Sequence, residues 1–418
     1  MKFILNKITH YLSHPLTKGS FVILAGSMVA NVGAYIYHVL MGRLLGPVTY
    51  GEFSALMSLF YLINIGSGVV QTVLTKFFSQ LRARKSFSEI PTLFWLAFRG
   101  IGIGTLVGLG VAVILSGWIG AFLHIQSIHF IWLYFIFATY VFSIINVSML
   151  QSFQLFVASS VLTNAGTLLR IIFGIIGAPF GLSGILIGNV LSNTLTYILY
   201  FIPVWGLLHV KSKELSITKV DTIQYSIPAL LGTLGVVALY SQDVLLVKHF
   251  FPANEAGIYA SLATLGKVIF YASAALGYVM FPMIVERKEL KQPHINVVLI
   301  SLSGVMGLSL LLTLGYFLFP SVIVRLMYGS SFDGAIPYMG LFGLFITFFS
   351  FVNVFTTVFL ALGKTKVWII TMGAALLQFI GLWIFHVSLY QVVYVNIAVT
   401  FMACVALLIY YLHGDEQS

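Results

Sequence analysis

Four basic side chains, Lys76, Arg99, Arg170 and Lys267, lie inside long apolar stretches of this sequence. A cation facing hydrocarbon costs about 2.5–3.5 kcal/mol at the bilayer centre, so such residues are expected to face protein, water or a ligand. Lys76 and Arg99 stand near the ends of their stretches and can reach the interface along their aliphatic stems. Arg170 and Lys267 stand deeper and are the stronger candidates for lining a cavity. Their chemistry would be anion capture: arginine offers a bidentate fork and lysine a mobile point charge, which suits a diphosphate. The one carboxylate well inside a stretch is Asp243, read either as an ion-pair or helix partner, of Lys248 for example, or as a cation-coupling group. Asn31, Tyr35, Asn64, Gln71, Gln242 and Tyr271 could hydrogen-bond sugars, although polar residues of membrane helices commonly bond across to one another.

The elements that position these groups follow from composition. Of 418 residues, 60% are hydrophobic and 8% charged, against roughly a quarter charged in soluble domains. Lipid is the solvent such a chain requires, and about 20 apolar residues make one spanning helix. Twelve runs meet that length: 20–42, 51–77, 93–117, 128–150, 156–178, 183–208, 222–247, 256–284, 295–319, 336–360, 366–387 and 389–412. The predicted organisation is an interfacial N-terminal segment (1–18), a six-helix lobe (19–208), a linker (209–221), a second six-helix lobe (222–412) and a short tail (413–418). Phe3, Ile8 and Leu12, with Lys2 and Lys7 among them, suit a short helix lying in the membrane surface.

Charge sets the expected orientation. Fourteen basic residues fall on one side, namely Lys2, Lys7, Lys18, Arg82, Arg84, Lys85, Lys211, Lys213, Lys219, Arg287, Lys288, Lys291, Lys364 and Lys366. Only Arg43, Lys248 and Arg325 fall on the other. The positive-inside rule then places both termini in the cytoplasm and the protein in the cytoplasmic membrane. The net charge of +10 is accounted for by these loops and calls for no nucleic acid. Cys404 is the single cysteine, so no internal disulfide is available, and the histidine spacings predict no metal site.

The two halves resemble each other. Arg43-Leu-Leu-Gly46-Pro47-Val-Thr-Tyr-Gly51-Glu-Phe53 is matched by Lys248-His-Phe-Phe-Pro252-Ala-Asn-Glu-Ala-Gly257-Ile-Tyr259: a basic residue, three residues, proline, then glycine, one residue, and an aromatic ring. Gly51 and Gly257 are 206 residues apart, about half the chain. Transporters are often built from such repeats. Gly46, Pro47, Gly51, Pro252 and Gly257 are therefore expected to be structural turns and caps. Gly100, Gly104 and Gly108 recur every four residues, a small-residue stripe expected to let helices pack closely.

At GRLLGPVTYGEFSALMSL (42–59), YSQDVLLVKHFFPANEAGIYASL (240–262), FPMIVERK (281–288) and ALGKTK (361–366) the sequence resembles the oligosaccharide flippase (Wzx-type polysaccharide export) family, within the superfamily that also holds the multidrug and toxin extrusion transporters. The second turn is one residue longer than the family's usual form. The resemblance implies an all-α polytopic membrane protein with two six-helix lobes related by a pseudo-twofold axis, working by alternating access. It further implies a polyprenyl-diphosphate-linked oligosaccharide as cargo, for O-antigen, capsule or similar surface polysaccharide, with membrane lipid, a coupling cation (H+ or Na+) and polysaccharide assembly proteins as partners and no cofactor. Arg170 and Lys267 would face a shared cavity and hold the diphosphate, with Arg99 and Lys76 as further cations. The alternative is a cation-coupled drug or metabolite antiporter of the same fold, which ought to show more intramembrane carboxylates than Asp243. A polymerase or ligase would need a large outer loop, and the longest outer connection is only 320–335, so an enzyme is not expected.

Overall fold

The structure is a computed structural model that describes residues 15–213, 215, 223–290, 292–293 and 295–414. The interfacial segment expected at Phe3–Leu12, together with Lys219, Lys291 and the tail from 415, lies outside these residues. Apart from short turns and links the described chain is helical, as lipid demands, because a helix satisfies its own backbone where no water can. Numbered in chain order, the helices are α1 (15–45), α2 (47–83), α3 (Ile90–Leu123), α4 (Ser127–Ser152), α5 (Phe156–Gly177), α6 (Gly181–Leu208) and α7 (Ile223–Leu239). They continue as α8 (Gln242–Phe250), α9 (Ala253–Glu289), α10 (Ile295–Leu318), α11 (Pro320–Tyr328), α12 (Met339–Ala361), α13 (Val367–Ile384) and α14 (Leu389–Gly414).

Eight helical stretches among the described residues are long and apolar enough to cross a membrane, or nine when the bent α7–α8 pair is taken as one span. Two of the eight, Ala25–Ala83 and Phe156–Leu208, each contain two helices, and α9 is 37 residues long. Each of the twelve apolar runs accordingly falls on helix. The seventh is broken, since α7 and α8 meet at 42° across Tyr240 and Ser241. The eleventh ends at Ile384, three residues short of expectation.

Two compact units divide the described residues, one of 15–37, 66–119 and 126–215 and the other of 38–65, 120–125 and 223–414. The first unit has a core in which Leu74, Phe78 and Leu81 of α2 meet Ile90, Leu93 and Phe94 of α3 and Ile144, Ile145 and Met149 of α4. Ser148 and Ser152 of α4 also donate to the carbonyls of Gln71 and Thr75, at 3.3 and 2.8 Å. Apolar and polar contacts together fix the rotation of α2 about its axis. The glycine stripe of α3 departs from expectation. A methyl at Gly100 or Gly104 would meet nothing within 4 Å, and only Gly108 approaches a neighbour, the Tyr134 ring of α4. Tyr134 and Phe142 occupy the space beside Gly108 and Gly102, so α4 meets α3 through aromatic rings and the exposed glycines are left uncovered.

In the second unit the two copies of the repeated turn come together. Gly46 takes φ 70° and ψ 175°, a conformation glycine reaches without a side-chain penalty, and Pro47 disfavours helical geometry at the residue before it. Phe251 and Pro252 are extended and open α9 in the same way. A methyl on Gly51 would stand 2.9 Å from the Gly257 nitrogen, and one on Gly257 would collide with the Pro47 carbonyl. Backbone thus lies directly on backbone. Glu52 of the first copy pairs with Lys248 of the second at 3.9 Å, which is why Lys248 is not the partner of Asp243. Arg43 caps the C-terminal end of α11, with Nε donating to Met327 O at 2.6 Å and Nη2 to the carbonyls of Leu326 and Arg325. A cation at a helix C-terminus both satisfies free carbonyls and complements the helix dipole.

Gly257→Ala is expected to cost about 1–3 kcal/mol, the usual penalty for forcing a methyl into filled space, read as a lower melting temperature of the detergent-solubilised protein. Gly66→Ala, at a position with nothing within 4 Å, should leave the melting temperature unchanged. Equal melting of both variants would show that the turns do not meet as described.

Candidate functional site

The break between α7 and α8 gives the second unit its polar centre. Ser241 stands at the N-cap position of α8 without a side-chain capping bond, and the helix then opens with Gln242 and Asp243. Asp243 is fully buried, yet its carboxylate is well supplied with donors. Oδ1 accepts from the Val244 amide at 2.8 Å. Oδ2 accepts from Tyr259 Oη of α9 at 2.6 Å and, at 3.4 Å, from Asn396 Nδ2 of α14. An acid at the first turn of a helix also gains from the dipole. A buried carboxylate is tolerable only with such a set of partners.

The network extends from there. Asn396 Nδ2 donates to Tyr259 Oη at 2.8 Å, and Asn396 Oδ1 accepts from Gln378 Nε2 of α13, also at 2.8 Å. Gln378 Nε2 further reaches the carbonyl of Leu239, the last residue of α7, at 2.9 Å. Its Oε1 accepts from Gln242 Nε2 at 2.6 Å, and Gln242 also donates to Ala375 O at 2.8 Å. Breaking a helix frees backbone carbonyls, and here Gln378 of α13 satisfies that of Leu239 while the Ser241 amide bonds to that of Ala238. Gln378 and Asn396 are completely buried, while Gln242 is half-buried.

Beside it lies a pocket lined by Tyr240, Asp243, Lys267, Phe270 and, from α12, Phe342, Phe345 and Phe349. The half-buried Lys267 places its ammonium 5.1 Å from the centre of the Tyr61 ring, and Tyr61 in turn stands near Tyr240. A cation over an aromatic face is held electrostatically without being neutralised. Lys267 and Asp243 therefore give this largely apolar pocket one charge of each sign, close enough to interact through space.

The other sequence candidates divide between the units. Asn64, Gln242, Asp243, Lys267 and Tyr271 belong to the second, and only Gln242, Asp243 and Lys267 are gathered at this centre. Asn31, Tyr35, Gln71, Lys76, Arg99 and Arg170 belong to the first. There Arg170 lies with its guanidinium carbon 4.4 Å from the centre of the Tyr37 ring, and Tyr37 Oη accepts from Asn189 at 2.7 Å. Gln71 donates to Gln151 at 3.4 Å. Arg99 and Lys76 are exposed, while Asn31 and Tyr35 are half-buried. Sequence reasoning overlooked Tyr37, Tyr61, Gln378 and Asn396, and took Tyr259 only as the aromatic ring of the repeated turn. The signal for the two amides was a polar side chain isolated in the middle of an apolar run, and for Tyr37 and Tyr61 no local pattern marks them.

A bundle of broken and unbroken apolar helices, long enough to cross a membrane many times, defines a multi-pass membrane protein. The profile of the polysaccharide biosynthesis protein family matches residues 16–288, more than half of the chain, and the protein belongs to that family. No curated protein matches it. Among solved structures, 95% of the chain is similar to 98% of an inward-facing multidrug resistance MATE family transporter of the MOP superfamily, with a TM-score of 0.72 and 16% identity. An outward-facing MATE family transporter matches with a TM-score of 0.62 and 14% identity over 94% of each chain. The Vibrio cholerae MATE transporter VcmN matches with a TM-score of 0.62 and 16% identity over 98% of each. At such identities the likeness is one of fold, and the fold is that of these transporters.

Gln378→Leu removes a donor and an acceptor from a buried network, at about 1–3 kcal/mol for each group left unpaired. It is expected to lower the melting temperature more than Gln71→Leu, whose side chain makes one bond of 3.4 Å. Equal losses would mean that the α13 bridge does not hold the break together.

Proposed function

We propose that the protein translocates a polyprenyl-diphosphate-linked oligosaccharide across the cytoplasmic membrane, for the assembly of O-antigen, capsule or a similar surface polysaccharide. The observation that supports this most directly is Lys267, an ammonium kept among aromatic rings in a membrane-embedded pocket, in a chain of the polysaccharide biosynthesis family. Such a cation is poorly compensated in the empty protein and better compensated once a diphosphate is present. Arg170 of the first unit is likewise seated on an aromatic ring, that of Tyr37. An anionic head group then binds some conformations better than others, and only such differential affinity can move the protein between states. The prenyl chain stays in lipid, and Asp243 is the coupling carboxylate. This reading also puts both termini in the cytoplasm and takes residues 19–208 and 222–412 as two copies of one six-helix lobe.

A cation-coupled drug or metabolite antiporter is the second reading, favoured by the aromatic walls around Asp243. The two differ in the sign of the cargo. In proteoliposomes carrying a polyprenyl-diphosphate oligosaccharide, Lys267→Gln and Arg170→Gln are each expected to slow translocation roughly tenfold, the effect of losing about 1.4 kcal/mol of a charge-assisted bond. The double variant should stop it while remaining folded by melting temperature. Wild-type rates in the double variant would overturn this reading, and cationic dye export abolished by Asp243→Asn alone would establish the antiporter.

Orientation is tested separately. With Cys404 replaced by serine, single cysteines at Ser212 and Ser330 are expected to react with an impermeant thiol reagent from opposite faces of the membrane. Reaction from one face would refute the assigned topology.

A further inference from the structure

The faces that this chain exposes are mostly apolar, as lipid contact requires. Along α3, for example, Leu96, Ile103, Leu106, Val107 and Val111 are all exposed. The C-terminal half of α2 breaks that pattern. Its exposed positions include Gly68, Thr72, Lys76 and Ser79, which at 100° per residue fall within about one quarter of the helix surface and span roughly 16 Å along its axis. The opposite side of the same helix carries Leu74, Phe78 and Leu81 into the core of the first unit. Hydrogen bonds from Ser148 and Ser152 to the carbonyls of Gln71 and Thr75 hold that rotation. The polar stripe is therefore turned outward by fixed contacts.

Depth rules out an interfacial explanation for the whole stripe. Arg82, at the end of α2, is tied to Ser152 O and Gln154 Oε1 at 2.9 and 3.0 Å. Thr72 stands ten residues before it, roughly 15 Å deeper and about halfway through a 30 Å hydrocarbon layer. Thr72 Oγ1 donates back to Gly68 O at 2.9 Å, which leaves its oxygen able to accept. Gly68 presents bare backbone, with nothing within 4 Å of where a methyl would sit. Hydroxyls, bare backbone and an ammonium on one exposed arc suit water and a hydroxyl-rich anion, and suit lipid poorly.

We infer that Gly68, Thr72, Lys76 and Ser79 form a water-lined track for the polar head of the cargo, Lys76 meeting phosphate and the two hydroxyls meeting sugar. The cargo contact rests on the function proposed above; the access of water to the stripe does not. The test uses single cysteines at Thr72 and Ser79, and at Ile103 and Val107 for comparison, in the full chain with Cys404→Ser, reconstituted in liposomes. Thr72→Cys and Ser79→Cys should react with hydrophilic methanethiosulfonates, while Ile103→Cys and Val107→Cys stay unmodified. The anionic reagent should be at least roughly threefold faster than the cationic one at both stripe positions, because Lys76 makes the local potential positive. Adding Lys76→Gln should remove that preference. Farnesyl diphosphate, a short prenyl diphosphate, should slow modification of both stripe cysteines. Unreactive stripe cysteines, or equal reactivity on α3, would overturn the track. Reaction that farnesyl diphosphate leaves unchanged would overturn the cargo contact, even where Lys267→Gln and Arg170→Gln still slow translocation.

Discussion

Within hydrocarbon, a polar group must find a partner in the protein or water, and most of the architecture follows from that demand. It makes every described span a helix, and it also governs where a helix can fail to be one. The seventh span is interrupted at Tyr240–Ser241, which would strand carbonyls of α7 without donors. Gln378 donates to the Leu239 carbonyl, and the same side chain links Gln242 to Asn396 and so to Asp243. The break and the buried carboxylate are therefore not separate features. Asp243 takes its donors from the Val244 amide, Tyr259 and Asn396, and Asn396 is in turn held by Gln378, the residue that bonds to the carbonyl at the break.

Close backbone approach is the second consequence. Side chains in lipid gain little by leaving it for one another, so helix association depends on fit. The two turn motifs achieve fit by removing side chains from their contact: Gly51 meets Gly257, which lies on the Pro47 carbonyl. Charge then secures what packing brings together, with Glu52 on Lys248 and Arg43 on the carbonyls at the end of α11. The repeated pattern of basic residue, proline and glycine is thus one contact seen from both sides.

Much of the fold was legible in the sequence for the same reason. Because lipid is the solvent, span length and composition carry the structural information, and the twelve runs fall on helix with small displacements at their ends. Gly46 and Pro47 could be read locally because backbone geometry is a local property. The polar centre could not. Gln378 and Asn396 lie more than 130 residues beyond Asp243 in sequence, and nothing along the chain says which helices will neighbour the break. The glycines of α3 were misread because spacing shows that close approach is possible, whereas the bulk of Tyr134 and Phe142 on α4 decides that it does not occur there. Exposure was invisible too, so Lys76 could be seen as a lone cation and not as one member of a polar face.

The pocket of the second unit poses the remaining energetic question, which is why one positive and one negative charge are kept near each other without a contact ion pair. Among the described residues the contact pairs are Lys248 with Glu52 and Arg325 with Asp333. Asp243 is instead held by neutral donors, and Lys267 by the Tyr61 ring. A closed buried pair would be difficult to open, since removing either partner strands a charge. Neutral hydrogen bonds and an aromatic face hold each charge at lower cost while leaving it available. That arrangement suits the translocation proposed above, in which the site has to release what it binds and must not be satisfied too completely by its own residues.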